Sequence, residues 1–141
     1  MTVTKIHVHI PTDKATLGFV KFNWETMLTL ANHPEHVHVT AHCMGPAAAD
    51  RLANVLKSGA TRLVAGNGKE GMNGSYGHGA CVMDALAMTN DGEIHIIADS
   101  DTVVVSRGWD DYVRKRLVVD GIGIMGTTYE DLGGFSSGRG T

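Results

Sequence analysis

Short apolar and β-branched runs alternate along this chain with segments in which apolar residues recur at helical spacing, and this alternation limits the folds available to it. Strands are predicted at residues 5–10, 36–41, 61–65, 93–98 and 121–125. Helices are predicted at residues 17–32, between residues 46 and 59, after residue 79, and at 109–117. Strands that alternate with helices form a mostly parallel sheet with helices on both faces. The predicted fold class is therefore α/β, a Rossmann-like sandwich.

The size and charge of the chain fit one soluble domain. Its 141 residues correspond to a single domain, which we expect to span residues 1–132, with a flexible glycine-rich tail at 133–141. The net charge of −3 gives no electrostatic basis for nucleic-acid binding. No membrane span is expected, because no apolar run approaches about 18 residues, and the first residues lack a signal-peptide pattern. The expected location is cytoplasmic.

The carboxyl ends of the predicted strands define a candidate site. In open α/β sheets, ligands bind beyond these ends, because the loops there converge on one edge. The segments that come after the predicted strands are residues 11–14, 42–45, 66–79 and 99–101. We expect the functional residues among them.

The tripeptide Asp99-Ser100-Asp101 comes directly after the most strand-like run of the sequence. If the backbone is extended, side chains two residues apart point the same way, so both carboxylates could face one ligand. A hard cation such as Mg²⁺ or Mn²⁺ takes oxygen ligands from one or two carboxylates and from substrate phosphates. The alternative is an ordinary turn. The position at the binding edge favours the cation.

Glycine is abundant, with 18 residues, and clusters between Gly66 and Gly79. Gly66, Gly68 and Gly71 match the spacing G-x-G-x-x-G, which leaves a dinucleotide (NAD(P)) binder as a distant alternative. Such a fingerprint opens directly into a helix, whereas six further residues intervene here. We expect a loop whose backbone can approach a bulky ligand closely.

Histidines occupy two kinds of position. His7 and His9 share one face of a predicted strand, and His36 and His38 share a face of the next. These four imidazoles could form a zinc site, but a thinly covered sheet face is the favoured interpretation. His42 and His78 lie at the expected ligand edge, where stacking or hydrogen bonding is an alternative to a purely structural role.

Nucleophilic catalysis is not expected. No G-x-S-x-G motif is present, and neither Cys43 nor Cys81 has a catalytic sequence context. We expect Cys81 to be a core residue.

The segment from Asp91 to Val105, with the pattern G-E-(apolar strand)-D-x-D, resembles the core of GT-A-fold glycosyltransferases, close to family 2. The Val-Ser-Arg-Gly-Trp-Asp segment at residues 105–110 is similar to the residues that come after that motif in some members. The resemblance implies a GT-A-like fold, Mn²⁺ or Mg²⁺, and a nucleotide-diphosphate sugar, for which a UDP-sugar is favoured.

The resemblance also implies roles for individual residues. Asp101 would bind the metal directly, and Asp99, also a candidate metal ligand, would hold the ribose or the sugar beside Ser100. The base pocket would be lined by Pro11, Thr12 and Asp13. The nucleotide-sugar site would further include Gly66, His42 and His78, with His42 standing where the family usually has an acidic residue.

The acceptor half of such an enzyme is not evident. Inverting relatives take their catalytic base from an acidic residue after the D-x-D motif, and the weak candidates here are Asp110, Asp111, Glu130 and Asp131. The acceptor stays unknown. The alternative function is a non-catalytic nucleotide-sugar-binding module that needs a partner chain, or a further copy of itself, for the acceptor side.

Overall fold

The computed structural model describes residues 2–13, 16–56, 62–65, 74–90 and 92–123. Its strands are β1 (Ile6–Thr12), β2 (Val37–Cys43), β3 (Arg62–Ala65) and β4 (Ile94–Ile97). Its α-helices are α1 (Leu17–Leu30), α2 (Pro46–Leu56), α3 (Gly74–Ala87) and α4 (Trp109–Arg114). A 3₁₀ turn, Pro34–His36, precedes β2, and a π-helical turn, Lys115–Val119, follows α4. The tail at 133–141 lies outside the described residues.

The four described strands form one sheet in the order β3-β2-β1-β4, and every neighbouring pair is parallel. Each pair is therefore joined by a crossover, as parallel pairing requires. The predicted α/β class with a parallel sheet is confirmed.

Helices cover both faces of the sheet. One face of β1 contributes Ile6, Val8 and Ile10 to the main core, where Trp24 and Met27 of α1 also lie. Leu52 of α2 belongs to the same core. Helix α3 packs on β1 and β2, and its buried side chains, Cys81 and Ala85, lie outside that core. Helix α3 therefore covers the opposite face.

Strand β1 runs further than its proline suggests. Pro11 lies inside this central strand, opposite His42 of β2. Alternate residues of a strand bond to opposite neighbours, and the carbonyl of His9 accepts the N–H of Ala98 on the β4 side. Pro11 faces that same side, two residues beyond the last β1–β4 pair, His9 with Ile97. The missing N–H of proline thus falls where the ladder has already ended.

Three predicted boundaries are wrong. Strand β2 begins at Val37, so His36 lies in the 3₁₀ turn, and His42 lies inside the strand instead of beyond it. Helix α3 begins at Gly74, so the predicted loop does not extend through residues 74–79. Residues 121–123 form no strand, and the rest of that predicted strand lies outside the described residues.

Helix α4 docks at the end of α1. The indole Nε1 of Trp109 donates to the carbonyl of Met27 at 2.9 Å, and the N–H of Gly108 donates to the carbonyl of Leu30 at 2.7 Å. Gly108 has φ +73°, and a Cβ there would lie 2.9 Å from Nδ2 of Asn32. Both the conformation and the space favour glycine.

None of the helices in the described segments combines the length and the apolar character that a membrane span needs.

Asp110 anchors this contact from a fully buried position. Its carboxylate accepts the backbone N–H groups of Asn32 and His33 at 2.8 and 3.0 Å, and Nη1 of Arg114 at 2.6 Å. Burial alone would raise the pKa of Asp110, but these N–H groups and the guanidinium outweigh it and lower the pKa. Asp110 is therefore ionised and structural.

Asp110→Ala removes one partner of a buried ion pair and leaves two N–H groups unsatisfied. We expect the free energy of unfolding to fall by about 3–5 kcal/mol, measured by urea denaturation. Asp111→Ala is the matched control, because Asp111 is exposed, and its loss is expected to cost no more than about 1 kcal/mol. Equal losses in the two variants would contradict the structural role of Asp110.

Candidate functional site

A cavity of about 500 Å³ opens at the carboxyl edge of the sheet. We call it the carboxyl-edge pocket, and its lining residues are Pro11, Asp13, Thr16, Met44, His78, Gly79, Asp99 and Ser100. They come from the ends of β1, β2 and β4 and from α3. Residues from all four separately predicted segments therefore meet at one cavity.

The topology explains why the cavity forms here. Strand β1 leads through α1 to β2 on one side, whereas its other neighbour, β4, is reached from α3 on the opposite face. The direction in which successive strands are added to the sheet therefore reverses at β1, between β2 and β4. This switch point is where open α/β sheets bind ligands.

The Asp99-Ser100-Asp101 segment is a turn, not an extended backbone. The carbonyl of Asp99 accepts the N–H of Thr102 at 3.0 Å, a bond that closes a β-turn over residues 99–102. The alternation expected of a strand therefore does not apply to the two carboxylates. Asp99 and Ser100 line the pocket, while Asp101 is exposed and does not.

His78 and Asp99 face each other across the pocket. Nε2 of His78 lies 3.8 Å from Oδ1 of Asp99, and both side chains are about half exposed. This distance is too long for a hydrogen bond. The pair can open to admit a ligand without losing a buried contact.

Asp13 links the pocket to the start of α1. Its Oδ1 accepts the backbone N–H and the hydroxyl of Thr16, each at 3.0 Å. This local bonding fixes the turn before the helix, in the manner of capping side chains. The carboxylate is therefore held in place at the cavity wall.

Two predicted site residues are buried and do not line the pocket. The hydroxyl of Thr12 donates to the carbonyl of Ile10 at 2.9 Å, and Thr12 is fully buried. His42 is also fully buried, because β2 extends past it. Met44 takes the pocket position after β2.

Of the four acidic residues predicted as the catalytic base, the two that the structure describes do not reach the carboxyl-edge pocket. Asp110 and Asp111 lie on α4, which docks at the carboxyl end of α1 and at Thr4, before β1. That is the amino edge of the sheet, opposite the pocket. Gly66, Glu130 and Asp131 lie outside the described residues.

The cysteines are not nucleophiles. Both are buried, and the thiol of Cys81 donates to the carbonyl of His42 at 3.1 Å. Burial raises the pKa of Cys43 to about 11 and also raises that of Cys81. Neither thiol ionises appreciably at neutral pH.

Histidines line one face of the sheet across three strands. His7 pairs with His38 of β2 and with His95 of β4. The ring of His7 stacks on those of His38 and His95 at centroid distances of 5.3 and 4.9 Å. The face-sharing predicted for His7 and His9 is real, but their neighbours are His38, His42 and His95.

Three of these rings form a hydrogen-bonded row, which we call the imidazole chain: His95, His9 and His42. The N–H of Asn90 donates to Nε2 of His95, so the neutral ring carries its proton on Nδ1. That Nδ1 donates to Nε2 of His9 at 3.1 Å, and Nδ1 of His9 donates to Nε2 of His42 at 2.9 Å. The N–H of Asn90 thus fixes the tautomer of His95 and, through it, that of His9.

His9, the central ring of the imidazole chain, is neutral at physiological pH. Burial is the largest cause that lowers the pKa of His9, from 6.5 to about 4, and the neighbouring His42 and His95 lower it further. Burial also lowers the pKa of His95. A charged ring in this row would lack both water and an acceptor.

A second group of ligand-type side chains lies at the amino edge of the sheet. His7, Glu93 and His95 can bring one ligand atom each to within 4.8 Å of the others, and we call them the amino-edge triad. Oε2 of Glu93 lies 2.7 Å from Nε2 of His7. Among the described residues, it is the only set of three or more His, Cys, Asp or Glu side chains this close.

Sequence reasoning missed Glu93 and His95, and also Thr16 of the pocket. Met44 and Gly79 lie in predicted segments, although neither was predicted individually. A usable signal existed for the first two: Glu93 and His95 are two residues apart next to a strand and so share a face. Their pairing with His7 depends on the β1–β4 register, which no local pattern encodes.

The sequence comparisons identify no relative. No protein-family model matches the chain, and no curated protein matches it significantly. The function is therefore argued from the site itself.

The buried imidazole chain predicts acid sensitivity. The folded pKa of His9 lies below the unfolded value, so the unfolded chain binds more protons and stability is lost as the pH falls from 6.5 towards 4. The lowered pKa of His9 corresponds to a loss of at most about 3 kcal/mol in the free energy of unfolding. Urea unfolding at several pH values, with EDTA present to remove metal ions, measures this loss.

His9→Gln retains a donor and an acceptor but cannot titrate, so its unfolding free energy should depend less on pH than that of the wild type. His33→Gln, at a half-exposed histidine, is the control and should keep the wild-type pH dependence. Identical pH profiles for wild type and His9→Gln would show that His9 is not the group responsible.

Proposed function

We propose that this chain binds a nucleotide-diphosphate sugar in the carboxyl-edge pocket, with Mn²⁺ or Mg²⁺, as the donor site of a GT-A-like glycosyltransferase. One observation carries the proposal: Asp99, Ser100, Asp13 and His78 converge on a single cavity at the switch point of a parallel sheet. The resemblance of residues 91–105 to the GT-A core supports the same function.

The size and lining of the pocket suit such a donor. Its volume of about 500 Å³ lies within the usual range for small-molecule sites, about 300–1,000 Å³. Two carboxylates line it, which is unfavourable for a diphosphate unless a divalent cation neutralises the charge. The Asp99 side chain is 59 % exposed and so accessible to a hydrated ion.

The pocket residues divide into two proposed roles. Asp99 would hold the cation and the phosphates would complete its coordination, whereas Asp101 of the same turn lies outside the pocket. His78 lies against Asp99 and would contact a phosphate oxygen. Pro11 and Asp13 would border the base, whereas Thr12 and His42 are buried in the sheet and do not line the pocket.

The cation would supply most of the chemistry. Departure of the nucleoside diphosphate builds negative charge on its phosphate oxygens, which a bound divalent ion stabilises as it develops. Mg²⁺ and Mn²⁺ prefer carboxylate and phosphate oxygens. The acceptor hydroxyl also needs a base, which must come from elsewhere.

A specific observation favours a second candidate, a donor-binding module without transferase activity of its own. Asp110 and Asp111 are at the opposite edge of the sheet, and Asp110 is fixed in a buried ion pair. Of the four acidic candidates for the base, the two that the structure describes thus cannot serve. A partner chain, or a further copy of this one, would then supply the acceptor side.

Calorimetric titration with UDP in the presence and absence of Mn²⁺ tests the donor site. We expect Mn²⁺-dependent binding that weakens at least about tenfold, or 1.4 kcal/mol, in Asp99→Asn. Asp50→Asn, on the exposed surface of α2, changes the charge equally and should bind normally. UDP binding that ignores both Mn²⁺ and Asp99→Asn would contradict the proposal.

Product formation separates the two candidates. If the isolated chain transfers sugar from a UDP-sugar to an acceptor, and Asp99→Asn abolishes the transfer, the chain is an enzyme. Mn²⁺-dependent UDP binding with no transfer to a broad acceptor panel would instead identify a donor-binding module.

A further inference from the structure

The amino-edge triad lies at the other end of the sheet from the carboxyl-edge pocket. Its members are half-buried side chains at the starts of β1 and β4, and the three possible ligand atoms lie within 4.8 Å of one another. All eight histidines and both cysteines of the chain lie in the described segments. Among the described residues, no other histidine takes part in such a group.

The contact between His7 and Glu93 needs a proton or a metal ion between the two groups. Nε2 of His7 is buried and lies 2.7 Å from Oε2 of Glu93. A nitrogen lone pair and a carboxylate oxygen this close repel each other. Either Nε2 of His7 carries a proton, which even a neutral ring can donate to Glu93, or the two groups share a metal ion.

His95 is already oriented as a metal ligand. Its Nδ1 donates to Nε2 of His9, which leaves Nε2 unprotonated on the side of the turn that carries Glu93. Metal-binding histidines typically use one nitrogen for the metal and donate the other N–H to a second group that fixes the ring. His9, held in turn by His42, is that second group here.

We propose that the amino-edge triad binds a zinc-type divalent ion through His7, Glu93 and His95. Two imidazoles and one carboxylate match the three-ligand zinc sites that keep a fourth position open. The ion would replace the 3.2 Å hydrogen bond from Asn90 to His95, in an exposed turn. Zinc bonds of about 2.0–2.2 Å place tetrahedral ligand atoms roughly 3.3–3.5 Å apart. His7 and Glu93, at 2.7 Å, must therefore separate slightly, and ligand atoms near the 4.8 Å limit must approach each other.

The fourth ligand has space to enter. Glu93 and His95 line a cavity of about 390 Å³, together with Thr4, Leu117 and Ile122 among others. Water or an oxygen of a small ligand can reach the ion from this side. The imidazole ligands favour Zn²⁺ over Mg²⁺. The site is therefore distinct from the Mn²⁺ or Mg²⁺ site proposed for the carboxyl-edge pocket.

Titration of the full chain with ZnCl₂ alone, monitored by calorimetry, tests the site. We expect one tight equivalent, and at least about tenfold weaker binding in Glu93→Gln and in His95→Gln. Substitution by Co²⁺ gives a second readout, because a low-symmetry site with nitrogen ligands produces intense visible absorption that both variants should lose. Glu93→Gln keeps the size of a partly exposed side chain, so it remains informative if His95→Gln does not fold.

Two controls locate the binding. His33→Gln/His36→Gln removes the other histidine pair that lies close to a carboxylate, Glu35, and should leave zinc binding unchanged. Asp99→Asn should also leave it unchanged, so failure here and failure of the donor site are separable. Absence of a stoichiometric zinc site, or zinc binding that survives Glu93→Gln, would overturn the proposal and leave a proton between His7 and Glu93.

Discussion

The structure depends on burying a central strand that carries two histidines. Strand β1 is hydrogen-bonded on both sides, to β2 and β4, and its second face is covered by α3. Burial of a polar ring is costly unless its nitrogens are satisfied. The imidazole chain meets this requirement for His9, its one internal ring, which accepts from His95 and donates to His42. The other histidine of the strand, His7, has Nε2 against Oε2 of Glu93.

The same strand connects the two proposed sites. At its carboxyl end, Pro11 and Asp13 line the carboxyl-edge pocket, and at its amino end His7 belongs to the amino-edge triad. The chemistry of the two ends differs: oxygen donors suit a hard cation with phosphates, and imidazoles suit a zinc-type ion. The imidazole chain lies between them and orients His95 from within the sheet.

Local pattern predicted the elements but not all their ends. The alternation of apolar runs with helical spacing was sufficient for the parallel sheet, because only crossovers connect such strands. It failed at His42, since the residue types there do not show that β2 continues to Cys43. It failed at Asp99-Ser100-Asp101 because Asp and Ser suit both an extended end and a turn. The amino-edge triad needed the β1–β4 register, which is set by tertiary packing.

The central claim is that the two edges of the sheet hold different cations. A crystal structure of the full chain with UDP, Mn²⁺ and Zn²⁺, with anomalous scattering recorded for each metal, tests it most directly. We expect manganese beside Asp99 with the UDP diphosphate, and zinc between His7, Glu93 and His95. Both metals at one site, or neither metal at its assigned edge, would contradict it.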